Sequence, residues 1–272
     1  MCYATAQKNK TSRLEKVMNA VAKLPEFLND DLVRYHINGF AKQFFNGGTK
    51  MLEHPMMLIQ PQENPKFLTP VMWGYVPRDV PGDKIPEFYK DEIQYGSGLN
   101  ATSEKMFTSR RFKESAEYRR CIVPVSGFYE PYKYIPSKGK GYSIPFHFER
   151  RDEGVMKLAG IYEFTHDKHI TFAILTKKAT PLFAKIHHTK KRRPVILNDE
   201  QAEGWLDSSS KRNDIEHIME TDMPDKDIFA QPVNRNLYSR NIDTNRPGIT
   251  DPVHYPEIPI DYENKPPTDL FS

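Results

Sequence analysis

Short apolar segments rich in β-branched and aromatic residues follow one another closely through most of this chain. Seven of them occupy residues 55–59, 71–76, 120–130, 142–150, 156–164, 170–177 and 193–197. Segments of this length and composition are typical of β-strands. No long helical pattern separates them, so repeated βαβ units are not expected. We predict an α+β fold with a largely antiparallel, barrel-like β core and flanking helices.

One helix is predicted near the start of the chain. Ser12 and Glu15 have capping-box spacing. An apolar stripe follows at helical spacing and comprises Leu14, Val17, Met18 and Val21. Pro25 is expected to end this helix.

Further helices are predicted late in the chain, at residues 198–207 with Asn198 as the N-cap and at 211–220. Residues 36–50 contain Asn38-Gly39 and Asn46-Gly47-Gly48, which indicate turns and loop.

The domain limits follow from length and composition. The 272 residues fit one large domain. The last 29 residues hold six prolines and few aliphatics. We predict a domain over 1–243 and a proline-rich tail over 244–272 that is extended or disordered rather than core.

Composition also limits the partners and the compartment. The net charge is only +3, so any nucleic-acid surface must be a local concentration of charge. Two cysteines form no disulfide framework and fit a reducing cytoplasm. The first residues lack a signal peptide's apolar region, and no apolar run approaches a membrane span. We therefore expect a cytoplasmic monomer, nucleoid-associated if bacterial, that binds no membrane.

Cys2 directly follows the initiator methionine. Removal of Met1 would leave an amine and a thiol on adjacent carbons, with reference pKa values of about 8 and about 8.5. Such a residue can use its own amine as a base. It can also condense with an aldehyde, first to an imine and then to a closed thiazolidine ring.

Four segments carry a resemblance to a known family. They are Met1-Cys2, Leu99-Asn100-Ala101-Thr102-Ser103-Glu104, 120–130 (RCIVPVSGFYE) and 186–197 (IHHTKKRRPVIL). With Trp73-Gly74 before them and 172–176 (FAILT) between, the chain resembles the SOS response-associated peptidase (SRAP) family from Cys2 to about Leu206. The resemblance implies the SRAP fold and a protein that bonds covalently to abasic sites in single-stranded DNA. It also implies a cysteine peptidase that removes its own Met1, with lyase-like chemistry at abasic sites and with no cofactor or metal.

The family's catalytic positions fall on Cys2, Asn100, Glu130 and His187. Residue chemistry supports these roles. A histidine can protonate the sugar ring oxygen near neutral pH and so release the aldehyde. A glutamate that ends an apolar strand is partly desolvated, which raises its pKa, so Glu130 can handle the amine's proton. Asn100 can donate to the developing oxygen and accept from the amine.

Simpler interpretations stay open for each position. Glu130 could end a strand before Pro131, and Asn100 could be a turn residue. His188 competes with His187 for the catalytic role. Cys121, inside an apolar strand, is expected to be an inert buried thiol.

The resemblance also implies DNA contacts. Arg110 and Arg192 fall on phosphate-contacting arginines, Trp73 on a tryptophan near the base stack, and Thr176 joins the predicted DNA-binding residues. The basic run Lys190-Lys191-Arg192-Arg193 fits this face, although a solvated surface explains it equally well. The family commonly has arginine where this chain has Ala4 and Thr102, which leaves the affinity and the substrate open.

Two other classes compete. An N-terminal-nucleophile amidohydrolase also begins Met-Cys, but Tyr3-Ala4-Thr5 does not match its expected glycine and isoleucine. A non-covalent reader of modified or single-stranded DNA could use the same pocket without chemistry.

Overall fold

The computed structural model describes residues 2–24, 33–40, 42–46, 49–92, 96, 98–239 and 242–258, with the backbone alone for 42–46 and 49–53. The strands are β1 Ala4–Gln7, β2 Val21–Ala22, β3 Arg34–Asn38, β4 Lys42–Asn46, β5 Thr49–Glu53, β6 Met56–Pro61, β7 Phe67–Trp73, β8 Asn100–Thr102, β9 Arg120–Val125, β10 Gly127–Tyr134, β11 Tyr142–Arg150, β12 Met156–Phe164, β13 Ile170–Lys178, β14 Arg192–Pro194, β15 Ile196–Leu197 and β16 Ile228–Pro232. The α-helices are α1 Thr11–Met18, α2 Ile85–Glu92, α3 Lys113–Tyr118, α4 Pro181–Ile186, α5 Asp199–Leu206 and α6 Arg212–Glu220.

Five strands close into a barrel. β7, β6, β9, β12 and β13 pair antiparallel in that order, and a parallel pairing of β13 with β7 completes the ring. A second sheet has the order β16-β11-β10-β1-β3. One apolar core contains side chains from both sheets, such as Val71 and Ile174 from the barrel and Phe128 and Phe146 from the second sheet. The predicted α+β fold with a largely antiparallel, barrel-like core is confirmed.

Strand β1 places the start of the chain inside the second sheet, between β10 and β3. It pairs antiparallel with both β10 and β3, and Thr5 lies opposite Phe128 on one side and Ile37 on the other. All four of its residues are buried. Cys2, two residues ahead of this strand, is therefore held inside the fold.

Most of the predicted strands are confirmed. β11 and β12 have the predicted bounds, and the segment at 120–130 divides at Ser126 into β9 and β10. Asn198 caps α5. Its side chain accepts from the Gln201 amide, and the Gln201 side chain accepts from the Asn198 amide, which forms a capping box. α6 begins at Arg212, one residue after the predicted start.

The first helix differs from its prediction. It begins after Lys10, which offers no side-chain cap, and ends at Met18, where Asn19 adopts left-handed backbone (φ 47°). Glu15 does not close a capping box, because its carboxylate accepts from the Ala22 amide (2.8 Å). Leu14 and Met18 are buried, whereas Val17 and Val21 are exposed. Pro25 lies outside the described residues.

The predicted loop over 36–50 is wrong for most of its length. Residues 34–38 form β3, and β4 and β5 form an antiparallel hairpin with Asn46 opposite Thr49. Gly47 and Gly48 lie outside the described residues. Helices α2, α3 and α4 were not predicted.

Part of the proline-rich stretch packs on the domain. Ile249 and Ile258 are buried, so the expectation that 244–272 lies outside the core is wrong for these two residues. Thr244 Oγ1 lies 2.8 Å from His36 Nδ1, and Asn245 Oδ1 accepts from the Tyr35 amide (2.8 Å). Residues 259–272 are not among those described. Within the described ranges, no helix combines the length and apolar character needed to cross a bilayer.

Candidate active site

Cys2 is fully buried at the entry to β1. Its Sγ lies 3.9 Å from the Ala4 carbonyl oxygen. Burial, reinforced by the charge of Glu130, raises the pKa of the thiol well above its usual range. The thiol is therefore held in its protonated form, and any reaction through sulfur requires a nearby base.

Asn100 fixes the backbone of Cys2. It begins β8, which pairs parallel with β13 so that Asn100 lies opposite Ile174. From there its Nδ2 donates to the Cys2 carbonyl oxygen (2.8 Å). Its Oδ1 is buried and has no hydrogen-bond partner among the described residues. The amide thus holds Cys2 and keeps one acceptor available.

Glu130 and His187 meet in the interior. Glu130 lies in β10 opposite Phe146 of β11, and His187 directly follows α4. Both side chains are buried, and Glu130 Oε2 lies 3.1 Å from His187 Nδ1. Burial raises the pKa of Glu130 to about 7 and lowers that of His187 to about 4.

These opposite shifts have one cause, because burial disfavours the charged form of either group. Near neutral pH the imidazole is neutral, and the carboxyl titrates close to its midpoint. The pair can therefore store a proton on Glu130 and exchange it with a neighbouring group. Since Glu130 also acts electrostatically on the Cys2 thiol, three of the predicted catalytic residues share one environment.

His188 occupies a different position. Its ring packs against Tyr132 with centroids 5.1 Å apart, and its Nδ1 lies 3.3 Å from the Ile186 carbonyl oxygen. Of the two candidate histidines, His187 is the one placed next to Glu130.

The predicted phosphate-binding arginines differ in availability. Arg110 is exposed and forms no hydrogen bond or ion pair with the described residues. Arg192 binds Glu104 through two hydrogen bonds of 2.7 and 2.8 Å, and it also donates to the Thr176 carbonyl. Burial opposes ionisation of Glu104, but the Arg192 guanidinium outweighs it and lowers the pKa of this carboxyl to about 2. A phosphate at Arg192 would compete with Glu104.

Two other predicted DNA-binding residues are enclosed. Thr176 is buried in β13, and its Oγ1 lies 3.4 Å from the Ala101 carbonyl oxygen. Trp73 has no exposed surface, and its Nε1 donates to the Leu99 carbonyl (2.9 Å). Gly39 covers the indole so closely that a Cβ there would lie 3.0 Å from Trp73 Cζ3. In this conformation Trp73 offers no ring face to a base, and its stacking role stays a prediction.

The basic run divides between surface and core. Lys190 and Lys191 are exposed, whereas Arg193 is fully buried and pairs with Asp222 beneath β14. For Arg193, both the DNA-binding and the solvated-surface interpretations are wrong. Cys121 is a buried free thiol, as expected.

Two site features were not predicted. Tyr3 and Tyr238 lie beside each other with ring centroids 5.9 Å apart, and both interact electrostatically with Cys2 and Glu130. Glu104 is the second, as the partner of Arg192. The sequence signal for Tyr3 was its place after Cys2, but nothing links Tyr238 to the site without the fold. The described residues contain no cluster of histidine, cysteine and acidic side chains able to hold a metal ion.

Fold and site together define an α+β barrel protein with a buried cysteine at position 2 beside a buried carboxyl–imidazole pair. The family model described as SOS response associated peptidase (SRAP) matches residues 1–239, and the chain belongs to that family.

Several relatives carry functional names. The chain is 31% identical over 159 residues to the abasic site processing protein YoqW of Bacillus subtilis (strain 168), covering 56% of this chain and 67% of that protein. It is 29% identical over 177 residues to YobE of the same organism, also named an abasic site processing protein, covering 63% and 76%. The Escherichia coli (strain K12) abasic site processing protein YedK is 30% identical over 162 residues, covering 58% and 61%.

Solved structures share the fold. A crystal structure of a protein from Bacteroides thetaiotaomicron aligns with a TM-score of 0.74 at 23% identity, covering 93% of this chain and all of that one. One from Bordetella bronchiseptica gives a TM-score of 0.62 at 21% identity, covering 86% and 100%.

Proposed function

We propose that this protein processes abasic sites in single-stranded DNA by forming a covalent thiazolidine crosslink through Cys2, after it has removed its own Met1. Membership of the SRAP family and the names of the relatives support the substrate. The observation that carries the chemistry is the buried Glu130–His187 pair beside Cys2.

The reaction begins with the closed sugar of the abasic site. Its ring oxygen must be protonated before the aldehyde appears. We place the stored proton on Glu130, because burial raises the pKa of that carboxyl to about 7. His187, whose Nδ1 is 3.1 Å from Glu130 Oε2, passes a proton to the ring oxygen. The ring C–O bond then breaks, and the anomeric hydroxyl returns its proton to the Glu130 carboxylate as the aldehyde forms.

The aldehyde then reacts with Cys2. The neutral amine adds to the carbonyl carbon and gives a carbinolamine, which loses water to form an imine. The thiol sulfur adds to the imine carbon while its proton moves to nitrogen, which closes the thiazolidine ring. The sum is aldehyde plus aminothiol giving thiazolidine and one water. Glu130 is the base that the protonated thiol requires, and its titration near neutrality suits proton transfer in both directions.

Asn100 holds the reacting residue in place. Its bond to the Cys2 carbonyl restricts the residue whose amine and thiol must both reach one carbon. Its buried Oδ1 is an available acceptor for the amine or for a carbinolamine hydroxyl.

The intact mass of the purified protein, measured after mixing with single-stranded DNA that carries an abasic site, tests the proposal. We expect a protein without Met1, and an adduct whose mass is the sum of the two components less one water. Glu130→Ala should retain Met1 if the protein cleaves itself, and Cys2→Ser should form no stable adduct. An active preparation that retains Met1 would exclude the thiazolidine mechanism. Full DNA affinity of Cys2→Ser with no adduct in either protein would identify a non-covalent reader instead.

A further inference from the structure

A groove of about 320 Å³ opens beside β8. It is lined by Thr102, Lys105, Thr108, Ser109 and Phe112. Asn100 and Thr102 are two residues apart on one strand and flank the buried Ala101, so their side chains lie on the same face. At the rise of a β-strand they are about 7 Å apart along it. The groove therefore begins about 7 Å along β8 from Asn100, whose side chain binds the Cys2 carbonyl.

The charge of this region is positive. Lys105 and Arg110 are exposed, and neither side chain forms a hydrogen bond or ion pair with the described residues. The nearest carboxylate in sequence, Glu104, is bound by Arg192. The hydroxyl groups of Thr102 and Ser109 can donate beside the Lys105 ammonium group; Ser109 Oγ accepts from the Arg111 amide and keeps its own hydrogen, whereas the Thr108 hydroxyl already donates to the Lys105 carbonyl. This combination suits the phosphate groups of a nucleic acid strand.

Phe112 adds an aromatic ring to the same groove. Its ring meets Tyr75 edge to face, with centroids 5.0 Å apart, and the side chain is only half-buried. Trp73, in contrast, is completely enclosed. The Arg111 guanidinium lies 5.5 Å from the centroid of the Phe112 ring. Of the two rings, only that of Phe112 keeps exposed surface for a base in this conformation.

We propose that this groove holds the DNA strand next to the abasic nucleotide, with Lys105 on a phosphate and Phe112 stacked on a base. The inference rests on the proposed function for the place of the lesion. The groove's affinity for an undamaged strand does not depend on that chemistry.

The test measures binding of a fluorescent single-stranded oligonucleotide without an abasic site, by anisotropy at several salt concentrations. Lys105→Ala should reduce the slope of log affinity against log salt by about 0.7, the value for one phosphate on a single strand. Lys113→Ala, an exposed lysine in the same segment that does not line the groove, is the matched control and should leave the slope unchanged.

The stacking residue is tested separately. Phe112→Leu keeps an apolar side chain against Tyr75 but removes the ring, and it should weaken binding roughly 5- to 150-fold with an unchanged salt slope. Phe112→Trp should restore the affinity, and Tyr118→Ala, whose ring is exposed in α3, should have no effect. Thermal midpoints of all variants identify any loss of folding.

The outcomes separate this inference from the proposed function. If Lys105→Ala and Phe112→Leu both bind DNA with the affinity and salt slope of the wild-type protein, the groove is not the DNA-binding site. This conclusion holds whether or not an adduct forms. Weakened binding by both, together with no adduct from the wild-type protein, would support the groove and reject the thiazolidine chemistry. If Lys105→Ala and Lys113→Ala change the salt slope equally, Lys105 contributes only general surface charge. That result would also overturn the inference.

Discussion

Glu130 has no contact with solvent, and burial raises its pKa from 4.5 to about 7. The folded state therefore holds this proton more tightly than the unfolded state does. Its contribution to stability is complete below pH 4.5 and is lost as pH rises through 7. The side chain in Glu130→Gln cannot ionise. Between pH 4.5 and 8 we therefore expect the free energy of unfolding of the wild-type protein to fall by about 3 kcal/mol relative to that of this variant. Urea unfolding of both proteins across that range measures the difference.

Glu104 provides a control of opposite sign. Arg192 overcomes the effect of burial and lowers the pKa of Glu104 to about 2, so its contribution is present above pH 4.5 and disappears as pH falls through 2. Glu104→Gln should therefore be less stable than the wild-type protein at neutral pH and equally stable in acid. A parallel pH dependence in the Glu130→Gln variant and the wild type would show that Glu130 is not buried as described.

The roles of Glu130 and His187 can also be separated by substrate. If His187 opens the sugar ring, His187→Ala should slow adduct formation on a closed abasic site by roughly 10²- to 10⁴-fold and leave a simple open-chain aldehyde almost unaffected. Glu130→Gln should slow both reactions, because the amine and thiol need a base in each. Crosslinked bands followed over time give the rates. His188→Ala is the matched control, and a loss in that variant alone would move the proton donor to His188.

At the scale of elements, strand β14 is anchored by a charge inside the protein. Arg193 is fully buried and bound to Asp222, with Asp225 at 3.6 Å. Arg193→Ala removes this partner, while Lys177 Nζ stays 3.0 Å from Asp222 Oδ1. Because Asp222 keeps one cation, we expect the change to cost about 3 kcal/mol of unfolding free energy, the low end of the range for breaking a buried pair. Lys190→Ala, an exposed lysine of the same basic run, should change stability by less than about 0.5 kcal/mol. Denaturant titration of both variants would detect the contrast, and similar values would contradict the burial of Arg193.

Elements with a strong local signal were predictable. β11 and β12 have long alternating or continuous apolar patterns, and Asn198 with Gln201 forms a capping box by local contacts alone. α3 and α4 have six residues each, too few to show a helical period. For β4 and β5, the asparagine and glycine signal favoured a loop and concealed the two paired strands.

The candidate site shows the same limit. The types and order of Cys2, Asn100, Glu130 and His187 gave the resemblance, but their proximity comes from strand pairings between residues far apart in sequence. Enclosure of Trp73 depends on Gly39 and Leu99, and the buried pairing of Arg193 depends on Asp222. Such long-range packing leaves no mark in the local pattern.

For the whole molecule, the stretch that follows residue 243 contributes to the fold. Ile249 is 1% exposed and packs in a cluster with Val233 and Leu237. A chain ending at residue 243 loses this burial, worth about 1.5–3 kcal/mol, and its thermal midpoint should fall by roughly 3–12 °C. A chain ending at Ile258 keeps these contacts and is the matched control. Equal midpoints for the two chains would make the predicted boundary at 243 a true domain end.

The number of phosphate contacts sets the salt dependence of DNA binding. Because the net charge is only +3 and Ala4 and Thr102 stand where the family commonly has arginine, we expect a shallow slope equivalent to roughly two to four neutralised phosphates. Arg110→Ala should reduce the slope by about one phosphate contact, since this arginine forms no hydrogen bond or ion pair with the residues that the structure describes. Arg192→Ala should reduce it by less, because Glu104 already neutralises that guanidinium. Affinities measured across a salt series give both slopes. If neither change alters the slope, DNA binds to a different surface.

The enclosure of Cys2 also affects which electrophiles can reach it. A thiol whose pKa is raised well above its usual range contains almost no thiolate, and thiolate is the form that oxidants and alkylating agents attack. The residue is thereby protected from the small reactive molecules of a cell. In the mechanism we propose, Cys2 becomes a nucleophile only for a partner that enters the pocket and brings its carbonyl next to Glu130. Selectivity of this kind comes from withholding reactivity until the correct substrate has bound.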